Sequence, residues 1–165
     1  MWDYWLDADC LIQSKNHAYA LETFPIVWDF LEQKIDEGVL AICYEVGEEL
    51  LKGNDALKDW ARKLKDKGAF VMPDPPVFEA LTKVSNYVKA SYVEHQVADF
   101  LAGADPWVIS NAMAHGGRIV THEVPDVHTN IKKREVKIPD VARHFGLQTP
   151  LHIKELFPAL GARFG

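Results

Sequence analysis

The chain has 165 residues, 48% of them hydrophobic and 25% charged, with a formal net charge of -6. That length favours one domain with a core large enough to stand without a disulfide or a structural metal, so any bound metal is expected to serve function. The acidic balance excludes a protein that binds nucleic acid over its whole surface, but not a local basic patch beside an acidic pocket. No stretch approaches the roughly eighteen apolar residues of a membrane span, and the start Met-Trp-Asp-Tyr has no basic segment. The expectation is a protein neither exported nor membrane-embedded, and cytoplasmic. Cys10 and Cys43 each sit in an apolar run and read as buried thiols, which fits a reducing compartment.

Along the chain, secondary-structure type alternates, without internal repeats or low-complexity tracts. Tyr4-Trp5-Leu6 is a short apolar run ending in an acid and predicts a buried strand. Thr23 is a candidate N-cap for a helix over 24–37, where Val27, Phe30, Leu31 and Ile35 recur at helical spacing and Gly38 closes the segment. Residues 39–43 predict a second strand leading into a helix over 45–52, ended by Gly53. Asn54 or Asp55 caps a further helix over 56–67, and Gly68 ends it before the apolar residues 69–72. Pro73-Asp74-Pro75-Pro76 predicts a break, and residues 77–92 again show helical spacing.

Residues 104–115 predict a helix with Asp105 and Pro106 in its first turn, where an acid and a proline are both favoured. Gly116-Gly117 stops it, residues 118–121 read as a strand, and a polar loop over 122–133 precedes Val136-Lys137-Ile138. Short helices are expected over 139–145 and 152–160, with room between them for a last edge strand. The predicted class is α/β: one domain over 1–165, with a mainly parallel central sheet and helices on both faces. In such sheets ligands bind at the carboxyl ends of the strands.

Those strand ends are acidic. Asp7 and Asp9 follow the first, Glu45, Glu48 and Glu49 the second, and Glu123 and Asp126 follow 118–121, while Asp105 opens a helix. Converging carboxylates repel one another unless a cation is present, and oxygen-only ligation suits Mg²⁺ or Mn²⁺.

Several of these acids lie in motifs that resemble those of the PIN-domain family. Leu6-Asp7-Ala8-Asp9-Cys10-Leu11-Ile12 is similar to the opening motif, and Glu49-Leu50-Leu51-Lys52-Gly53 to the second. Ala104-Asp105-Pro106-Trp107-Val108-Ile109, with Ile119-Val120-Thr121-His122-Glu123, resembles the third and fourth in order and spacing. Val136-Lys137-Ile138-Pro139 also looks like a PIN-like subfamily known mainly from uncharacterised bacterial proteins. Two positions depart from the pattern: Asp9 stands where asparagine is usual, and Glu123 where aspartate or asparagine is commoner.

The resemblance implies a ribonuclease that hydrolyses phosphodiesters with Mg²⁺ or Mn²⁺ held by Asp7, Glu49, Asp105 and Glu123, with Asp9 or Asp126 as further candidates. Thr121 is implied as a phosphate- or water-binding residue. Lys132, Lys133 and Arg134 are the best substrate-contacting cations, with Lys15, His17 and Lys137 also available. An RNA substrate, an antitoxin partner of the kind that restrains VapC-type toxins, and a homodimer are implied in the same way.

Two other classes compete. Asp7-Ala8-Asp9 also suits a phospho-aspartate phosphatase of the HAD type, although Leu11 stands where that pattern wants threonine or valine. A PIN fold that holds little or no metal and serves only for docking is the other. His122 beside Glu123 suggests transition-metal or acid-base chemistry, but no second histidine lies at ligand spacing in the sequence. Trp28 and Trp107 are expected to serve the core rather than to stack on bases.

Overall fold

The computed structural model describes residues 1–164. Four strands, β1 (Tyr4–Leu6), β2 (Leu40–Cys43), β3 (Phe70–Val71) and β4 (Arg118–Val120), form a parallel sheet in the order β3-β2-β1-β4. The register pairs Tyr4 with Leu40 on one side and with Arg118 on the other. Leu151 extends the β4 edge by a single parallel bridge to Val120. All four residues of β2 are buried, so both faces at the centre of the sheet are covered.

Nine α-helices among the described residues connect and cover the strands: α1 (Ala8–Gln13), α2 (Pro25–Asp36), α3 (Tyr44–Leu51), α4 (Ala56–Asp66), α5 (Pro75–Ser91), α6 (Glu94–Ala102), α7 (Asp105–His115), α8 (Ile138–His144) and α9 (Ile153–Ala159). Helix α7 is the hub, lying against α3, α5, α6 and α8 and against three of the strands. Its end is sharp because Gly116 and Gly117 both take positive φ, and a Cβ on Gly117 would come within 2.8 Å of the Trp2 carbonyl oxygen. The turn therefore lets Trp5 Nε1 donate to the Gly116 carbonyl at 2.8 Å.

One hydrophobic cluster runs from Trp5 to Phe157. Trp28 is buried edge-on against Trp60 and donates through Nε1 to the Tyr19 carbonyl at 2.7 Å, while Trp107 is half-buried against Phe78. Cys10 and Cys43 are free and buried, as the apolar runs around them predict. No helix among the described residues is long and apolar enough to cross a membrane.

Several boundaries depart from the sequence reading for identifiable reasons. Thr23 does not cap α2; Phe24 holds that position, and Pro25 opens the helix with its φ already fixed and no N–H left unsatisfied. Asp74 does cap, accepting from Val77 N at 3.2 Å, so the prolines after it open α5 rather than breaking the chain. Gly53 is not a left-handed cap, since α3 closes on Lys52 in ordinary helical geometry. The run 136–138 divides: residues 136 and 137 lie outside any helix or strand, and Ile138 already belongs to α8. Two helices were not expected at all: α1, which begins inside the first acidic motif, and α6, which fills the gap between the predicted helices at 77–92 and 104–115.

Gly47 sits inside α3 where a Cβ would come within 2.3 Å of the Phe70 ring. Alanine gains roughly 1 kcal/mol of helix propensity there, but overpacking typically costs about 1–3 kcal/mol, and Phe70 is held in the core. Gly47→Ala is therefore expected to lower the urea midpoint; an unchanged or raised midpoint would show that β3 moves freely away from α3.

Candidate functional site

At the carboxyl end of β1, Asp7 donates its backbone N–H to the Val120 carbonyl at 3.0 Å and begins α1. The side chain is only 1% exposed. It does not cap α1; one oxygen, Oδ2, accepts instead from the Thr121 hydroxyl at 2.8 Å. That hydroxyl also accepts from the Glu123 N–H at 3.1 Å, so Thr121 ties the end of β1 to the end of β4. Its hydroxyl is thereby committed to the acids, and it positions them rather than standing free for a phosphate.

Glu123 turns back beneath the following loop, where Oε2 accepts from the Ile138 N–H at 2.7 Å. This bond ties the start of α8 to the acid: the Ile138 backbone donor, at the first residue of the helix, is used on a carboxylate. Asp105 lies in the first turn of α7. Glu49, one helix away on α3, accepts from the Ala104 N–H at 3.0 Å, and so satisfies the backbone donor of the residue at which α7 begins. A Cβ on Gly103 would approach that same Glu49 oxygen to 3.3 Å. Glycine there leaves the carboxylate room.

Asp7, Asp105 and Glu123 share one electrostatic environment. Burial pushes Asp7 up to about 7 against the Thr121 hydrogen bond, and the charges of Glu123 and Asp9 add to the rise. Asp105 is pushed up to about 8, by burial first and then by the charges of Asp7, Glu123, Glu49 and Asp9. Burial raises Glu123 too, while the Ile138 N–H and the Lys137 charge hold it down.

In donor type the set fits a hard divalent cation: carboxylate oxygens, with one oxygen each of Asp7, Glu49 and Glu123 engaged by protein hydrogen bonds and the other left for a ligand. Among the described residues, no three histidine, cysteine, aspartate or glutamate side chains are already drawn into a shell that closes on a metal. The donor set would then supply only part of a shell, which is what Mg²⁺ accepts when it keeps several waters.

The other predicted residues are distributed around this centre. Asp9 is half-buried in the first turn of α1 and accepts from Gln13 Nε2 at 3.4 Å. Asp126 is spent on its own loop, accepting from His128 N at 2.7 Å and Glu135 N at 2.8 Å, and it lines a different cleft with Tyr87 and His144. Glu48 pairs with Lys65 on the surface, and Glu45 is half-buried with Oε2 unpartnered. Lys132 and Lys133 project from an exposed 3-10 turn, Arg134 is folded back onto the His128 carbonyl, and Lys15 pairs with Asp55. Lys137 pairs with Glu135, and both line a cleft of about 360 Å³ that opens onto Asp105 and Glu123.

Two contributors escaped the sequence reading. Helix α6 brings Gln96 and Asp99 to the wall of that cleft; the spacing of Val97, Phe100 and Leu101 was the available signal. His152 stacks in parallel on His122, 4.1 Å between ring centres at 6°. No second histidine lies at local ligand spacing, and the one that meets His122 comes from 30 residues further along the chain. Burial and the neighbouring His152 lower the pKa of His122.

Residues 4–164 match a family described as a domain of unknown function, DUF4411, and the chain belongs to it. No curated protein matches the sequence. Among solved structures, VapBC2 from Rickettsia felis, bound to a DNA fragment from its promoter, is similar at 14% identity over 92% of this chain and 97% of that one, with a TM-score of 0.49. PAE2754 from Pyrobaculum aerophilum is similar at 19% identity over 98% of this chain and 90% of that one, also with a TM-score of 0.49.

A pH dependence follows from the buried acids. Native Asp7 and Asp105 hold protons up to about 7 and about 8, whereas the unfolded chain releases them near 3.8, so between those values the native state binds more protons and stability falls as pH rises. Asp126, held down to about 2, contributes the opposite slope only below about pH 4. In EDTA, melting temperature should fall from about pH 5 to about pH 8, and Asp105→Asn should flatten that fall and melt at least about 3 °C higher at the upper end. Equal slopes in wild type and variant would show that Asp105 does not carry this repulsion.

Proposed function

We propose that this member of the family is a divalent-metal-dependent ribonuclease of the PIN kind, with Asp7, Glu49, Asp105 and Glu123 as its metal-holding acids. The observation that carries the reading is the convergence of Asp7, Asp105 and Glu123 from the ends of β1 and β4 and the start of α7, each raised in pKa by burial and the latter two, like Asp7, by neighbouring acids. A bound Mg²⁺ or Mn²⁺ supplies the positive charge that lowers the pKa of a water and neutralises a scissile phosphate.

The chain's own residues prepare that chemistry. Thr121 keeps Asp7 oriented and Glu123 close to it, and the Ile138 N–H holds Glu123 in place. Glu49 sets the position of the α7 N-terminus and therefore of Asp105. Lys132 and Lys133, exposed on the loop that follows Glu123, offer charge to an RNA backbone otherwise repelled by the acidic surface. Asp9 lies within reach of the same field and joins the acids as an additional candidate ligand. An antitoxin partner and a homodimer rest on the motif resemblance alone.

The competing classes fare less well. A nucleophilic phosphatase needs a carboxylate open to an incoming phosphate, and Asp7 is 1% exposed with one oxygen given to Thr121. A docking module without metal would carry the cost of the buried acids for no return.

Wild type should cleave a mixed RNA pool with Mg²⁺ or Mn²⁺ and not in EDTA, and Asp105→Asn should lose at least about a hundredfold in rate, since charge stabilisation at the reacting phosphate is worth several kcal/mol. Divalent ion should also raise the melting temperature of wild type more than that of Asp105→Asn. An active Asp105→Asn enzyme, or a wild type without saturable ion binding, would sink the reading.

A further inference from the structure

Beside the acids lies a second, smaller cleft of about 180 Å³, lined by Gln13, His17, Tyr19, His122, His152 and Lys154 among others. We propose that this cleft receives a single unpaired base of the RNA, next to the phosphate that the acidic centre cleaves; the proposal rests on the ribonuclease reading for its substrate.

Position comes first. His122 directly precedes Glu123, and Gln13 donates to Asp9, so two walls of the cleft are continuous with the acidic centre. The wider cleft holding Asp105, Glu123 and Lys137 touches the same Glu123. A nucleotide chain crossing the acids therefore passes from one cleft towards the other.

The walls are built for a flat heteroaromatic ring. The volume corresponds to about six waters, room for one base but not for a folded-in nucleotide chain. Ala18, Tyr19 and Ile153 supply apolar surface. The polar atoms are few and directional. His122 lines the cleft with its Nε2 out of contact with solvent and without a hydrogen-bond partner, a deficit that a base edge would fill once the ring turns towards it. His152 Nδ1 accepts from the Lys154 N–H at 3.1 Å as the N-cap of α9, which fixes its ring and leaves Nε2 as the donor of the neutral tautomer. The stack then holds the His122 ring parallel to it. RNA is read through splayed-out bases that stack on aromatic or histidine rings and present their edges for hydrogen bonding.

The remaining wall is a local irregularity. Ser14–Ala18 form a π-helical turn closed by Tyr19 N donating to the Ser14 carbonyl at 2.7 Å. Such turns are rare and recur at functional sites, and this one delivers His17 and Tyr19 to the cleft. A plain phosphate site fits less well: only the exposed Lys154 and His17 offer charge there, without an arginine fork.

The test uses uncharged nucleosides and metal-free protein, so that binding is read apart from cleavage. Wild type in EDTA is titrated separately with adenosine, guanosine, cytidine and uridine while the histidine ring resonances are followed by NMR. At least one nucleoside should shift His122 and His152 saturably. His122→Leu and His152→Asn should each weaken it about tenfold, the value of one lost hydrogen bond; asparagine retains the α9 cap. Absence of saturable shifts in wild type, or unchanged affinity in both variants, overturns the proposal. So does displacement of the nucleoside by inorganic phosphate, which marks an anion site, or by Zn²⁺, which marks a histidine metal site. Failure of wild type to cut RNA with Mg²⁺ or Mn²⁺ would remove the ribonuclease reading while leaving the nucleoside titration to stand or fall by itself.

Discussion

The constraint on which this protein turns is the placement of carboxylates at the carboxyl end of a parallel sheet, in surroundings too dry to solvate them. Asp7 is as buried as the core residues beside it, yet it is an acid. A buried carboxylate disfavours its own ionisation, and neighbouring acids disfavour it further. The fold tolerates the arrangement by giving three of the four acids a hydrogen-bond donor: a hydroxyl for Asp7 and backbone N–H groups for Glu49 and Glu123. Each donor leaves a second carboxylate oxygen for a ligand. The result is a cluster of buried carboxylates whose mutual repulsion the fold offsets through these bonds.

Those same hydrogen bonds connect elements far apart in sequence. Glu49 to Ala104 joins α3 to α7, Thr121 to Asp7 joins β4 to β1, and Ile138 to Glu123 joins α8 to the loop after β4. The polar network therefore does part of the work of tertiary specification, since a misplaced helix would strand a buried charge without its donor. Small residues serve the same end: Gly47 admits the Phe70 ring against α3, and Gly103 leaves space beside the Glu49 carboxylate. Stability and site geometry are in tension at the acids and in agreement everywhere around them.

The order of elements was legible because apolar runs and capping chemistry are local signals. Asp55 caps α4 and Gly68 takes the left-handed turn after it, as their positions announce. Asp105-Pro106 likewise opens α7. Helix α1 was obscured because its first turn coincides with the acid-rich segment after β1, and α6 because a single residue pair separates it from α5 and only Gly103 and Ala104 separate it from α7. The run 136–138 carries strand-like residues but spends its last backbone donor on Glu123, a competition that no local propensity records.

The sequence by itself determined the α/β class, the alternation of strands and helices, and the identity of the acids at the strand ends, because side-chain periodicity and capping act over a few residues. Only the tertiary structure decided which acids meet. It separated Asp126, bound up in its own loop, from Asp7, Asp105 and Glu123, and it committed Thr121 to the acids. It also stacked His152 on His122, through a register between β4 and the segment before α9 that Leu151 sets with a backbone bridge. The physical reason is range: propensity is local, whereas a buried charge or an unpaired ring nitrogen is satisfied or left wanting by whatever the folded chain brings within three ångströms of it.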